Sequence, residues 1–366
     1  MYKIFASLLI SISIIFLFMN CSNDDKDQLK FSIRAEIYDV LFQQDKIILT
    51  TDKGMFLYNL LTGKKEWHNK RTDGLVTLIF NDKLLSKSNN GSMCFLDIKT
   101  GKIIKEVEVG EFIHRIQIKD ESSILFVQSN SDNYLLRCYN DATGDIVNLS
   151  TIDSPPRALE YFDNNIFLIT ERWSAVYGTN LFDGWLDVID GSFYNTIAKY
   201  PVRFGGNHFV YSQGFLFFFN DKEELMKTDT NGNILESYPL PFDFASSRLI
   251  PNKEIILIRG DHGESFYAFD VKTETFIEIE KNTNGISYYF TVSNDDILYA
   301  DMNSVYSYNI KSREKKNLYD LNGMELFNIF SNSEWFILIL ADNIRLALAD
   351  DLPFTVLVKK MLKETR

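Results

Sequence analysis

The stretch Lys53–Trp67, KGMFLYNLLTGKKEW, constrains the fold more than any other part of the chain. Phe56, Tyr58 and Leu60 alternate with Met55, Leu57, Asn59 and Leu61, so nearly every position is apolar or aromatic. That pattern predicts a strand covered on both faces. Thr62-Gly63 then turns the chain, glycine supplying the positive φ of a tight hairpin. Lys64–Trp67 follows as a polar, exposed strand carrying one large ring. A single such unit would be an ordinary hairpin.

It is not single. Gly101 follows FLDIKT, Gly144 follows CYNDAT, Gly191 follows LDVID and Gly232 follows KTDTN. Glu274 follows AFDVKT, Arg313 follows SYNIKS, and an eighth turn is expected near Asp351 after ALAD. Successive turns lie 38, 43, 47, 41, 42, 39 and 38 residues apart. A period of about 40 residues, each divisible into four short strands, predicts an all-β chain folded as a β-propeller. Eight four-stranded antiparallel blades fit the count; seven is the alternative if the weak eighth turn is discounted. In the first unit the strands are expected over Ile33–Leu41, Lys46–Thr51, Met55–Leu61 and Lys64–Asn69. Second strands such as Ile124–Gln128, Phe215–Phe219 and Phe336–Leu340 are apolar on both faces, as packing between blades requires. The 30 Phe and 18 Tyr suit the widening gap between wedge-shaped blades. The last strand, Phe354–Val358, is expected to complete the final blade, so that the ring closes without an N-terminal strand.

The GxxxYxLxTGKxxW pattern of the first unit, and GSMCFLDIKTGKIIKEV from Gly91, resemble the repeat of quinoprotein-like (PQQ-like) propellers. The resemblance spans roughly residues 33–366 and implies the fold; propellers host many functions. Quinone-dependent enzymes of that family carry a vicinal cysteine pair and a Glu/Asn/Asp calcium set. The chain has no Cys-Cys, so no cofactor is expected.

Residues 1–20, MYKIFASLLISISIIFLFMN, carry one charge, Lys3, ahead of a long apolar run, and Cys21 follows at once. This reads as a signal peptide ending at a lipidated Cys21, with an uncleaved membrane anchor as the alternative. Phe18–Cys21 and the acidic cluster Ser22–Asp27 resemble the divergent lipoboxes and export signals of Bacteroidetes lipoproteins. Residues 21–32 are then a lipidated cysteine and polar linker, and 33–366 the propeller domain. The expected location is the cell envelope, at the outer membrane, on its periplasmic face or the cell surface. From Cys21 onward 37 basic residues face 50 acidic ones, which disfavours nucleic acid as a partner. Cys94 and Cys138 sit in equivalent strands of neighbouring units. Such strands seldom bring two Cα atoms within about 7 Å, so free thiols are expected.

In four-stranded blades the second-to-third and fourth-to-first connections share a face. The longest unit, the fourth, carries its extra residues there, between Glu171 and Trp185. Trp173, Tyr177, Phe182 and Trp185 are candidate contact residues, because aromatic rings on a loop anchor protein partners or stack on sugars. The neighbouring connection adds His208 beside Gly205-Gly206. Rings packed inward over the blade are the structural alternative. Arg259–Glu264, RGDHGE, is sequential rather than spaced to converge, and His114 and His208 fall in different blades, so no metal site is expected. GxSxG, HExxH, P-loop and dinucleotide motifs are absent from the sequence. The chain is thus expected to be a non-enzymatic, lipid-anchored scaffold for a protein partner. The alternative is a lipoprotein that binds or processes surface polysaccharide.

Overall fold

The computed structural model describes residues 28–361 except 89, 111, 131–132, 172–182, 204–208, 221, 223, 242–243, 250–254, 261–264, 282–289, 294–295 and 342–352. After β1 (Gln28–Ile33), blade 1 is β2 (Ile37–Gln43), β3 (Lys46–Thr51), β4 (Gly54–Asn59) and β5 (Lys65–Asn69). Blade 2 is β6 (Thr72–Phe80), β7 (Lys83–Ser88), β8 (Met93–Asp97) and β9 (Ile103–Val107). Blade 3 is β10 (Ile113–Ile118), β11 (Ser123–Asn130), β12 (Asn133–Asn140) and β13 (Ile146–Ile152). Blade 4 is β14 (Pro156–Phe162), β15 (Asn165–Glu171), β16 (Asp183–Asp190) and β17 (Thr196–Arg203). Blade 5 is β18 (Phe209–Ser212), β19 (Phe215–Phe219), β20 (Glu224–Thr228) and β21 (Ile234–Pro239). Blade 6 is β22 (Phe244–Leu249), β23 (Ile255–Gly260), β24 (Ser265–Asp270) and β25 (Thr275–Lys281). Blade 7 is β26 (Phe290–Ser293), β27 (Asp296–Ala300), β28 (Ser304–Asn309) and β29 (Lys315–Asp320). The chain ends with β30 (Glu325–Ser331), β31 (Trp335–Ala341) and β32 (Phe354–Lys360).

Each of the eight sheets is a four-stranded antiparallel meander, and the eighth has the order β1-β32-β31-β30. The expectation that the ring closes without an N-terminal strand is therefore overturned. Gln28–Ile33 pairs along its whole length with β32, from Gln28 opposite Lys359 to Ile33 opposite Phe354. Residues 28–32, read from sequence as linker, belong to this strand. The physical reason is visible in QLKFSI. Leu29, Phe31 and Ile33 alternate with polar residues and lay one apolar face against the cluster shared by blades 8 and 1. Without β1, the edge of β32 would be left unpaired. Asp351, near which the eighth turn was expected, lies outside the described residues.

The core lies between blades. Its eight clusters of buried side chains, among the described residues, each draw on two adjacent blades. Second strands are buried on both faces; Ile47, Ile48 and Leu49 of β3 are all fully inaccessible. Cys94 packs between blades 1 and 2 and Cys138 against the cluster between blades 3 and 4, and neither forms a disulfide.

The turn joining third to fourth strand carries the repeat. In blades 1, 2, 3, 4 and 7 a backbone N–H donates to the carbonyl four residues earlier: Gly63 to Asn59, Gly101 to Asp97, Gly144 to Asn140, Tyr194 to Asp190 and Arg313 to Asn309, at 2.8–2.9 Å. The Oδ1 of that Asn or Asp accepts from the intervening N–H groups, as in Leu61 and Thr62 to Asn59 or Ser192 and Phe193 to Asp190. The fourth residue after the Asn or Asp has positive φ, +68° at Gly63, +58° at Tyr194 and +55° at Glu274. In blade 4 the position belongs to Tyr194, not to Gly191 as expected.

Outer strands dock on these turns. Trp67 of β5 donates Nε1–H to the Ile98 carbonyl of blade 2 at 2.9 Å, and its ring covers Gly101, where an added Cβ would come within 2.5 Å of Cδ2. Leu29 of β1 covers Gly63 in the same way. Trp67→Ala is therefore expected to cost about 3–5 kcal/mol in urea unfolding. A methyl group added at Gly144 would meet nothing within 4 Å. Gly144→Ala should then cost only the left-handed conformation, about 1–2 kcal/mol. Gly101→Ala should cost more; equal losses at the two glycines would refute the docking role of Trp67.

Candidate functional site

Antiparallel order sorts the connections onto two faces. First-to-second and third-to-fourth connections share one face, and there the hairpins are short: Gln44-Asp45, Asn81-Asp82, Asp163-Asn164 and Gln213-Gly214 each join two strands. Asn81, Asp82, Asp163 and Asn164 all have positive φ, between 45° and 61°, the geometry of two-residue primed turns. The opposite face holds the long connections. Eleven residues join β15 to β16, twelve join β31 to β32, and eight join β25 to β26. Neighbouring first strands touch, β10 against β14 and β26 against β30, so first strands lie nearest the ring axis.

Of the sequence candidates, Cys21, Trp173, Tyr177, Phe182 and His208 lie outside the described residues. Trp185 lies within them, in strand rather than loop: it is the third residue of β16, opposite Thr170 and Pro201. Trp185, which the insertion was expected to include, therefore belongs to the strand, because Gly184–Ile189 pairs on both sides. Trp185 is half-buried, with Lys199 Nζ 5.4 Å from its ring centroid. Lys199 also binds Asp187 Oδ1 at 3.1 Å; burial raises the Asp187 carboxyl above its usual range, and Lys199 opposes that shift.

His114 sits between the edges of the Phe112 and Tyr134 rings, at 4.9 and 5.1 Å. Burial lowers its pKa, with Arg115 and Lys87 adding to the effect. One residue on, Arg115 donates Nε–H to the Arg157 carbonyl of β14 at 2.6 Å and Nη1–H to the His114 carbonyl at 2.7 Å. Arg157 itself pairs with the buried Glu171. Below them Gln117 donates to Glu160 Oε2 at 2.5 Å, and burial pushes the Glu160 carboxyl up to about 7. Among the described residues no group of three or more His, Cys, Asp or Glu side chains is placed to hold a metal. Residues 261–264 of the RGDHGE segment lie outside the described residues.

A surface pocket of about 250 Å³, which no sequence pattern marks, opens on the long-connection face between blades 7 and 8. Met302, Leu321, Met324 and Leu326 supply apolar lining, and Asp301 and Glu325 supply carboxylates. Its residues come from two short connections about twenty residues apart in the chain. Met302 is 67% exposed.

No family model matches the chain, and no curated protein matches it. Solved structures do. A computationally designed protein, Ika8, aligns with a TM-score of 0.66 at 12% identity over 90% of this chain and 98% of its own. BamB from Moraxella catarrhalis aligns with a TM-score of 0.58 at 14% identity over 93% and 99%. The Pan2 WD40 domain of Neurospora crassa aligns at 0.50 and 12% over 76% and 93%. At such identities the likeness establishes the fold: the chain is an eight-bladed β-propeller.

The raised Glu160 carboxyl has a consequence for stability. Between about pH 4.5 and 7 the unfolded chain has released this proton while the folded chain keeps it. Folded protein then binds more protons, so stability falls as pH rises through that window and levels off above it. Glu160→Gln should remove this fall and raise stability at pH 8 by roughly 1–3 kcal/mol. Urea unfolding of both proteins at pH 5 and pH 8 measures it; parallel pH profiles would show that Glu160 ionises normally.

Proposed function

We propose that this chain is a lipid-anchored β-propeller that serves as a non-catalytic scaffold for a protein partner in the bacterial cell envelope. The observation that carries the reading is the one-sided placement of the long connections. A ring locked by eight interblade clusters presents them from one rigid face, and surface loops on a rigid scaffold are where binding residues concentrate.

The position of the tether supports it. With lipid on Cys21, residues 22–27 are all that separate the anchor from Gln28. Six extended residues reach about 20 Å. β1 is the fourth strand of its blade and runs toward the fourth-to-first connection, which lies on the long-connection face. Gln28 therefore starts at the opposite, short-turn face. An anchor attached there leaves the long connections directed away from the membrane. A single acyl chain binds a bilayer marginally, and multiple acylation of the cysteine would give lasting attachment.

The test is cross-linked affinity purification of the full chain from its native membrane, with wild type beside Trp173→Ala/Trp185→Ala. A defined protein should co-purify with wild type, and the double variant should retain about tenfold less. Retention of polysaccharide with no protein partner would overturn the scaffold reading in favour of a glycan-binding lipoprotein.

A further inference from the structure

The short-turn face carries exposed apolar side chains where the tether would bring it to the membrane. All connections of that face in blades 1–5 lie within the described residues. Ile104, Val147, Ile197, Ile234 and Leu235 are exposed, and each is the first or second residue of a fourth strand. Phe193 sits in the blade 4 turn itself and is 83% exposed. Single apolar residues scattered over a surface are ordinary. Several on one side of a rigid ring mark an interaction surface.

They are densest on blades 4 and 5. The blade 4 turn is pinned with Phe193 at its tip. Ser192 and Phe193 donate their N–H groups to Asp190 Oδ1 at 2.8 and 2.7 Å, Asn164 Nδ2 donates to Ser192 Oγ at 2.9 Å, and Lys119 of blade 3 donates to the Tyr194 hydroxyl at 3.1 Å. The blade 5 turn packs against β17: a Cβ added to Gly232 would come within 2.5 Å of Ala198 Cβ. Ile197 precedes Ala198 and Ile234 follows Gly232 by two residues, so Phe193, Ile197, Ile234 and Leu235 form one ridge across two blades. Charged neighbours are engaged locally. Lys199 binds Asp187, Asp229 accepts from the Asn233 N–H at 2.7 Å, and Glu236 accepts from the Tyr238 hydroxyl. Gly191–Asn195 contains no Asp, Glu, Lys or Arg.

The tether says what this ridge meets. β1 enters blade 8 at the short-turn face, and Leu61, 67% exposed, lies two residues before the Gly63 that Leu29 of β1 covers. One apolar contact therefore stands beside the tether. Blade 4 is four blades from blade 8 in a ring of eight, so the ridge lies across the axis from it. A ring held to a bilayer at blade 8 and resting on blades 4 and 5 lies flat. Tethering makes the docking intramolecular, at an effective concentration on the order of millimolar, so a weak contact suffices. The excess of 50 acidic over 37 basic residues from Cys21 onward gives no general attraction to anionic lipid, so apolar burial in the headgroup region carries the contact. We infer that the short-turn face docks on the lipid surface that holds the anchor, with Phe193, Ile197, Ile234 and Leu235 inserted at the bilayer interface. The inference rests on the lipid-anchored reading and deepens it.

The test reads the face itself, independently of partner capture. The full chain is reconstituted into phosphatidylcholine vesicles containing a phosphatidylcholine with a photoreactive acyl chain, and labelled residues are mapped by mass spectrometry. Flotation of the vesicles first reads the anchor. Lipid should label Phe193, Ile197, Ile234, Leu235 and Leu61, and spare Phe112 and Met302, which are exposed on the opposite face. Labelling should persist in about 1 M salt, where charge attraction is screened beyond about 3 Å. Phe193→Ser/Ile234→Ser/Leu235→Ser, with unchanged urea unfolding, should lower labelling of Ile197 about tenfold and leave Leu61 labelled. Labelling at Leu61 alone, or at neither site, would overturn the inference, because the ring would then hang free of the surface. So would labelling of Phe112 and Met302 in its place, loss of labelling in high salt, or cross-links between copies at an unlabelled Phe193, which would make the ridge an interface between copies. A chain that does not float refutes the anchor and the inference together. A labelled ridge with no protein captured from the native membrane leaves the docking in place and refutes only the scaffold.

Discussion

No blade of this protein can bury its own surface. A second strand such as β15, NIFLITE, is buried at all seven positions, so it needs a neighbour on each side. Burial of one large apolar side chain is worth roughly 1.5–3 kcal/mol, and each interblade cluster contains eight or more buried residues, most of them large and apolar. A single exposed interface would forfeit many of those contributions at once. The ring must therefore close, and closure falls on the pairing of β1 with β32. The two ends of the chain are held together because the middle requires it, and the N-terminal tether follows from the same pairing.

The period and the both-face-apolar second strands were legible because they reflect this packing. Phe215–Phe219 is the strand expected, and Ile124–Gln128 and Phe336–Leu340 lie within the observed Ser123–Asn130 and Trp335–Ala341. The turn was misread in detail. Glycine looked like its mark, whereas the structure shows the Asn or Asp four residues earlier doing the holding, through its Oδ1 bonds to the turn N–H groups. Once those bonds exist, Tyr194, Glu274 or Arg313 can occupy the left-handed position despite a cost of about 1–2 kcal/mol. Glu274 gains something in return. Its side chain bonds Lys227 and the Tyr238 hydroxyl of the preceding blade, and the Lys227 bond is the main reason its carboxyl is held down at about 2. Glutamate there joins two blades by hydrogen bonds where Gly101 does so by admitting the Trp67 ring.

The candidate site was less legible, for a reason that lies in its construction. Packing imposes a period on strands and none on connections, so residues such as Met302 and Glu325 carried no pattern to read. The pocket exists because two connections from adjacent blades meet, and adjacency of blades is a property of the closed ring. Glu160 was hidden for a similar reason: an acidic residue in ALEYF reads as the exposed face of an inner strand, and only the neighbouring β10, with Gln117 across from it, shows that it is enclosed.

The two faces differ because they are constrained differently. On the short-turn face each third-to-fourth turn is a surface on which the previous blade's outer strand docks, as Trp67 and Leu29 do over Gly101 and Gly63. Lengthening such a turn would displace its cover and open an interblade cluster. A second-to-third connection has no such duty in the ring. Its length is limited mainly by loop-closure entropy, and a doubling costs only about 0.6 kcal/mol. Eleven residues in blade 4 and twelve in blade 8 are therefore tolerated where they stand and would not be tolerated opposite. Variation in such a ring is confined by packing to the face that the tether leaves open.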